Sequence, residues 1–235
     1  MPQSDDPPHA GYDRPLANSC PSVGTCIATR SGVPDPAKNL DLHGNVPETC
    51  PVALLVVDVL NALRFEGSEA FVPRAIRVGE RIVALKARAR QLGVPAIYVN
   101  DNVDRWRSDL AHIVSDSTKS DAPGRELSRL LVPSSDDYVV LKPKHSGFYS
   151  TTLDTILTYL KARRLIVTGL TTERCLLFTA NDAFLRDYEL FVPRDCTAAI
   201  DDDDHSAAIR ILERVLRADT TPSNELDLDE LVRYD

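Results

Sequence analysis

The stretch Leu165 to Leu177 reads L-I-V-T-G-L-T-T-E-R-C-L-L: a β-branched run that stops at Gly169, a hydroxyl-rich turn, and a cysteine where an apolar helix begins. This spacing predicts Cys175 in the first turn of a helix, just past the carboxyl end of a buried strand. Free N–H groups and partial positive charge at a helix N-terminus favour a thiolate there. The effect is worth about 0.3 to 2 kcal/mol, which moves a thiol by about one pKa unit from 8.5. Most of the thiol would stay protonated at neutral pH, so a nucleophile needs a base. A carboxylate can take the proton, but two anions side by side repel by roughly several kcal/mol at an effective dielectric near 20. A lysine between them offsets that repulsion. Aspartate as base, lysine as electrostatic organiser and cysteine as nucleophile form a coherent set.

The elements that would position such a set can be read from the pattern. Val52 to Val57 is a near-continuous apolar run ending at Asp58, Val94 to Val99 leads to Asn100 and Asp101, and Tyr138 to Leu141 leads to Lys142. Leu165 to Thr168 leads to Cys175, Glu189 to Val192 forms a fifth run, and a short sixth follows at Ala218 to Thr220. Unbroken apolar runs are the signature of strands buried on both faces. Amphipathic helices are predicted between them, the first opened by Pro73 and closed by Gly93, others near Asp109–Val114 and Pro123–Leu131, one after a Thr151-x-x-Asp154 capping box, and a last one over His205–Arg217. Alternating strands and helices with right-handed crossovers give a doubly wound α/β domain of three layers, α/β/α, around a parallel sheet. Ligands bind outside the carboxyl ends of such strands, where Asp58, Asn100, Asp101, Lys142 and Cys175 all fall.

Other residues compete for roles. Lys144 shares a strand parity with Lys142, and His145 raises a Cys–His dyad in place of the aspartate. Asn100, Trp106, Arg107, Phe148 and Arg174 are candidates for substrate contact, although a tryptophan or phenylalanine in such places serves equally well as lid packing. Cys196 reads as packing. The run Asp201 to Asp204 precedes a helix and complements its dipole.

The 235 residues are 43% hydrophobic, enough for a full core in one domain, and the net charge of −8 argues against a nucleic-acid footprint. No apolar run reaches the roughly 18 residues of a membrane span. The N-terminus lacks the apolar core of a secretory signal. Five cysteines without framework spacing indicate reduced thiols and a cytoplasmic protein. Residues 1–50 are proline-bearing and without periodicity, and are expected to be a disordered or loosely docked extension. The folded domain is expected over 51–221, with a tail at 222–235. Cys20 and Cys26 stand at C-x5-C, outside common zinc spacing; no metal and no cofactor are expected.

Three motifs carry a resemblance: V-V-D-V-L-N at 56 to 61, L-K-P-K-H-S-G-F-Y-S-T-T-L-D at 141 to 154, and V-T-G-L-T-T-E-R-C at 167 to 175. Through them the chain from about Val52 to Thr221 resembles the isochorismatase-like cysteine hydrolases. The resemblance implies a six-stranded parallel sheet of order 3-2-1-4-5-6 and an Asp-Lys-Cys triad on Asp58, Lys142 and Cys175, the motif spacing to Phe148 choosing Lys142 over Lys144. It also implies a cis peptide between Leu170 and Thr171 and an oxyanion hole from the N–H groups of Thr171 and Cys175. The implied reaction is hydrolysis of a small-molecule amide or carbamoyl C–N bond through a cysteine acyl-enzyme, in a family whose members commonly self-associate. The stretch Asn100 to Asp104 lacks the histidine of the metal-binding segment of nicotinamidases, and Cys175 is absent from isochorismatases proper, so both of those activities are disfavoured. The alternative on the same fold is a thiol redox sensor or small-molecule-binding protein without hydrolytic activity.

Overall fold

Every residue of the first strand, β1 (Val52–Val57), is buried. Val52, Leu54 and Val56 face one core layer, and Ala53, Leu55 and Val57 face another. A parallel strand covered by helices on both sides needs apolar residues at both parities, hence the unbroken run. The computed structural model describes residues 49–103 and 107–233. After β1 come α1 (Ser68–Gln91), β2 (Ala96–Asp101), α2 (Leu110–Ser117), α3 (Arg125–Leu130), β3 (Tyr138–Lys142), α4 (Leu153–Leu160) and β4 (Arg164–Leu170). A π-helical turn (Thr172–Leu176) runs into α5 (Leu177–Phe184), followed by β5 (Glu189–Phe191), a 3-10 turn (Arg194–Cys196), β6 (Thr197–Ala198), α6 (Asp202–Arg214) and α7 (Leu228–Val232).

All six strands are parallel, in the order β3-β2-β1-β4-β5, with β6 also bonded to β4. Arg164 to Ile166 pair with β5, whereas Gly169 and Leu170 pair with β6, so β5 and β6 follow one another along the same edge of β4. The segment expected as a sixth strand at 218–220 is reduced to a single parallel bridge between Asp219 and Phe191. One core layer packs α1 through Phe71, Ala75, Ile82 and Leu85, with Leu127 of α3 and Leu228 and Leu231 of α7. The other packs Leu153 and Leu157 of α4, Ala180 and Ala183 of α5, and Leu212 of α6.

Three local readings change. Helix α1 starts at Ser68 rather than Pro73: Gly67 at φ 80 turns the chain, and Pro73 sits inside the helix, forfeiting one backbone bond. Thr151 does supply the hydroxyl for α4, accepting the Leu153 N–H at 3.2 Å, but the helix starts at Leu153, with Thr152 as its N-cap. The segment after 221 carries α7, whose Leu228 and Leu231 are buried. Asp201 caps α6 by accepting the N–H groups of Asp203 at 2.7 Å and Asp204 at 3.3 Å, as an acidic helix start should. Of the N-terminal extension, only residues 49 and 50 lie within the described residues.

Gly169 fixes how β4 meets β1. Its φ is 117, and a Cβ there would lie 1.9 Å from the Val57 carbonyl oxygen. Gly169→Ala is therefore expected to push β4 off β1 beside Asp58 and to leave the protein largely insoluble or at least about 3 kcal/mol less stable in urea titration. An alanine variant with unchanged stability would show that this close approach is dispensable.

Candidate active site

Four adjacent strands deliver four side chains to one edge of the sheet. Asp58 follows β1, Asp101 ends β2, Lys142 ends β3, and Cys175 lies in the turn after β4. Asp101 and Lys142 are register partners across β2 and β3. Asp58 is buried and sits at φ 49, a left-handed conformation that aspartate tolerates better than most residues. Its N–H is held by the Val99 carbonyl at 2.9 Å, and its Oδ1 accepts the Asp101 N–H at 2.7 Å. Backbone pairing thus aims the carboxylate along the strand ends.

Lys142 is the hub. Its side chain is fully buried, and Nζ lies 2.6 Å from Asp58 Oδ2, donates to Asp101 Oδ1, and stands 3.4 Å from Cys175 Sγ. Asp58 Oδ2 meets the ammonium as a buried ion pair, with the Cys175 thiol within hydrogen-bonding reach of the same carboxylate. The ligand-type atoms of Asp58, Asp101 and Cys175 lie within 4.8 Å of one another, a set that could suit a metal ion. All three ring the Lys142 ammonium, so the cation at this centre is the protein's own.

Burial sets the proton inventory. It raises the Asp58 carboxyl to about 6, with Lys142 opposing and Asp101 adding to the rise. Burial, and then the facing Asp58 carboxylate, push the Cys175 thiol up to about 12 against the pull of Lys142. Burial also opposes the charge on Lys142, but Asp58 and Asp101 outweigh it and hold the ammonium above the ordinary lysine value. At neutral pH the centre therefore holds a thiol, an ammonium and a carboxylate. The helix-start preference for thiolate is overruled here, because desolvation and a neighbouring anion act at shorter range than the helix dipole.

The turn carrying the thiol has a second property. The Thr171 carbonyl accepts the N–H groups of Arg174 at 3.2 Å and Leu176 at 3.3 Å. An α-helical register would give that carbonyl to Cys175. The π register passes over it, so the Cys175 N–H is not taken by Thr171. The peptide between Leu170 and Thr171 is cis.

Of the other residues singled out in the sequence, Asn100 is buried and engaged on both sides by Leu60, accepting its N–H at 3.1 Å and donating to its carbonyl at 2.9 Å. Phe148 is buried in the same core layer as Cys175, beside Tyr188 and under the Arg186 guanidinium. Lys144, Arg107 and Arg174 are exposed, and Cys196 is buried. Trp106 lies outside the described residues. His145 is exposed, yet its Nδ1 stands 3.5 Å from Cys175 Sγ and its ring packs on Phe178. Its loop is tied to the turn because Thr179 Oγ1 accepts the Gly147 N–H at 3.0 Å and donates to the Cys175 carbonyl at 2.6 Å.

Sequence reading missed two features. Asp101 was placed at the edge but not recognised as the second carboxylate on Lys142; its register opposite a strand-end lysine is the signal that could have found it. The π register has no signal in residue types.

Comparison with known proteins agrees with this architecture. A family model described as the isochorismatase domain matches residues 52–222. The uncharacterized isochorismatase family protein YaaI of Bacillus subtilis is 37% identical over 174 residues, which span 74% of this chain and 95% of that protein. A protein of Arabidopsis thaliana described as a probable inactive nicotinamidase is 29% identical over 180 residues, spanning 69% of this chain and 88% of its own length. The crystal structure of N-carbamoylsarcosine amidase from Thermoplasma acidophilum aligns with a TM-score of 0.59 at 30% identity, covering 75% of this chain and 98% of that one. A buried Asp–Lys–Cys centre at the strand ends of this sheet, and similarity along most of the chain, lead to one conclusion: the protein belongs to the isochorismatase family.

Proposed function

We propose that this protein is a cysteine hydrolase that cleaves a small-molecule C–N bond of the amide or carbamoyl type, with Asp58, Lys142 and Cys175 as its catalytic triad. The observation that carries this reading is the single buried ammonium lying 2.6 Å from Asp58 Oδ2 and 3.4 Å from Cys175 Sγ. The amidase among the structural neighbours supports the carbamoyl class. A related chain described as inactive makes direct measurement the deciding step.

In the first half-reaction Asp58 accepts the thiol proton as Sγ bonds to the substrate carbonyl carbon. The resulting oxyanion is received by the N–H groups of Thr171 and Cys175. Asp58 then gives its proton to the leaving nitrogen, the C–N bond breaks, and a thioester remains on Cys175. A water passes one proton to Asp58 and bonds to the acyl carbon; collapse of the second tetrahedral state returns the proton to Sγ and frees the acid. Lys142 stays charged throughout and keeps the transient thiolate and the carboxylate from repelling each other. The chemistry requires a free thiol, and Cys175 is one, which fits a reducing, cytoplasmic setting.

The His145 contact favours a second reading, a thiolate–imidazolium dyad. The pH dependence of kcat/KM separates the two. If Asp58 is the base, activity needs its ionised form, so the rate falls tenfold per unit below an apparent pKa near 6. The thiol stays protonated up to about 12, so a plateau should extend to roughly pH 10. A bell-shaped profile whose descending limb is abolished by His145→Gln would establish the dyad instead.

A further inference from the structure

A second polar cleft lies between α1 and the first turn of α6, apart from the Lys142 centre. Its volume is about 350 Å³, and Arg74, Arg77 and Arg81 enter it from one face of α1. Its two acids are already matched. Asp202 Oδ1 is 2.8 Å from Arg74 Nη1, which also donates to the Ala199 carbonyl at 3.0 Å. Asp195 accepts the N–H and O–H of Ser223 at 2.7 Å each, and Arg81 Nε reaches it only at 4.0 Å. Among the described residues Arg77 has no ion pair or hydrogen bond. On the opposite wall stands His205, whose Nδ1 is 2.9 Å from Thr172 Oγ1; that hydroxyl is in turn 2.8 Å from Thr197 Oγ1. Its Nε2 has no partner among the described residues and is the ring atom left for a ligand.

Two underused guanidinium groups and one ring nitrogen thus converge on a concave space. A carboxylate presents its two oxygens in one plane, whereas a tetrahedral dianion carries more charge and presents oxygens in separate directions, to both forks and to the imidazole. We propose that this cleft binds a phosphate group, held by Arg77 and Arg81 and contacted by His205 Nε2. Arg74 stays with Asp202 and shapes the wall. The same imidazole touches both the ligand and Thr172, the first residue of the turn that carries Cys175, so occupancy is readable at His205. The site does not depend on the hydrolase reading.

The test uses the full chain carrying Cys175→Ala, which separates binding from turnover. Inorganic phosphate and glycerol phosphate are titrated by calorimetry at fixed ionic strength, with chloride as control, while the His205 ring protons, assigned by comparison with His205→Gln, are followed by NMR. Saturable binding of either probe at roughly millimolar concentration or below is expected, with the His205 resonances moving along the same isotherm. Binding should weaken tenfold or more in R77A/R81A, whose exposed side chains are not needed for folding. Tighter binding of the ester identifies a phosphorylated small molecule as the ligand; equal or tighter binding of phosphate identifies the free anion. Absence of saturable binding by both probes overturns the proposal, as does binding that R77A/R81A leaves unchanged. Dissociation of a self-associated form by R77A/R81A, without anion binding, would assign the arginines to a second copy of the chain and overturn it equally.

Discussion

Cys175→Ala is expected to lower turnover of a small amide or carbamoyl substrate by about four orders of magnitude or more while leaving a folded protein. Removing a nucleophile from an interdependent set abolishes the covalent route and leaves only what binding and oxyanion stabilisation provide. The structural change is small: one sulfur is lost at the rim of the second core layer, where Cys175 is 8% exposed. A deletion of that size costs about 1 kcal/mol, which in a domain of this length moves Tm by about 2 to 4 °C. Intact-mass and peptide mass spectrometry on the unmodified protein, quenched after exposure to a pool of small amides, should show an acyl adduct on Cys175. The alanine variant should show none. Undiminished turnover by the alanine variant would sink the hydrolase reading, and a reversible sulfenate with no acyl adduct from any amide would favour a redox or binding protein.

Lys142→Met carries the other large effect, and it falls on stability as well as rate. The side chain is fully buried between two carboxylates and a thiol. Methionine fills most of the volume but leaves Asp58 buried without its counter-charge, and breaking a buried pair in this way typically costs about 3 to 5 kcal/mol. Tm should fall by about 10 °C or more. The deficit should shrink as pH drops. Asp58 already has a folded-state pKa above its unfolded value, so its ionisation destabilises the fold as pH rises, and loss of Lys142 enlarges that penalty; protonation below the folded pKa removes it. Adding Asp58→Asn should restore much of the lost stability without restoring activity, a non-additivity measurable by urea titration of the four members of the cycle. Wild-type stability in Lys142→Met at neutral pH would mean that the ammonium is not the element that makes this carboxylate tolerable.

How much of this was legible beforehand depends on the kind of feature. Asp58 and Lys142 could be placed because each strand ends where its apolar run ends, and parallel topology sends all such ends to one edge. The helix boundaries were less legible. Pro73 looked like an opening residue because its ring suits a first turn, yet packing of Phe71 and Ala75 against the sheet sustains the helix ahead of it. His145 stood in the sequence only as a rival partner for the thiol, and the Thr179 bonds to Gly147 and Cys175 are what bring its loop over it.

The charged centre shows the same division. The sequence by itself determined the residue types, their places at strand ends, the need for a cation between a carboxylate and a thiol, and the parallel α/β frame that aligns them, because these follow from local periodicity and from short-range connectivity. Tertiary structure alone decided that Asp101 joins Asp58 on Lys142, that burial moves the Cys175 thiol up rather than down from its ordinary value, that the π register frees the Cys175 N–H from Thr171, and that three arginines of one helix meet His205 across a cleft. Each of those depends on distances between segments far apart in the chain and on how completely water is excluded between them, quantities that no local pattern encodes.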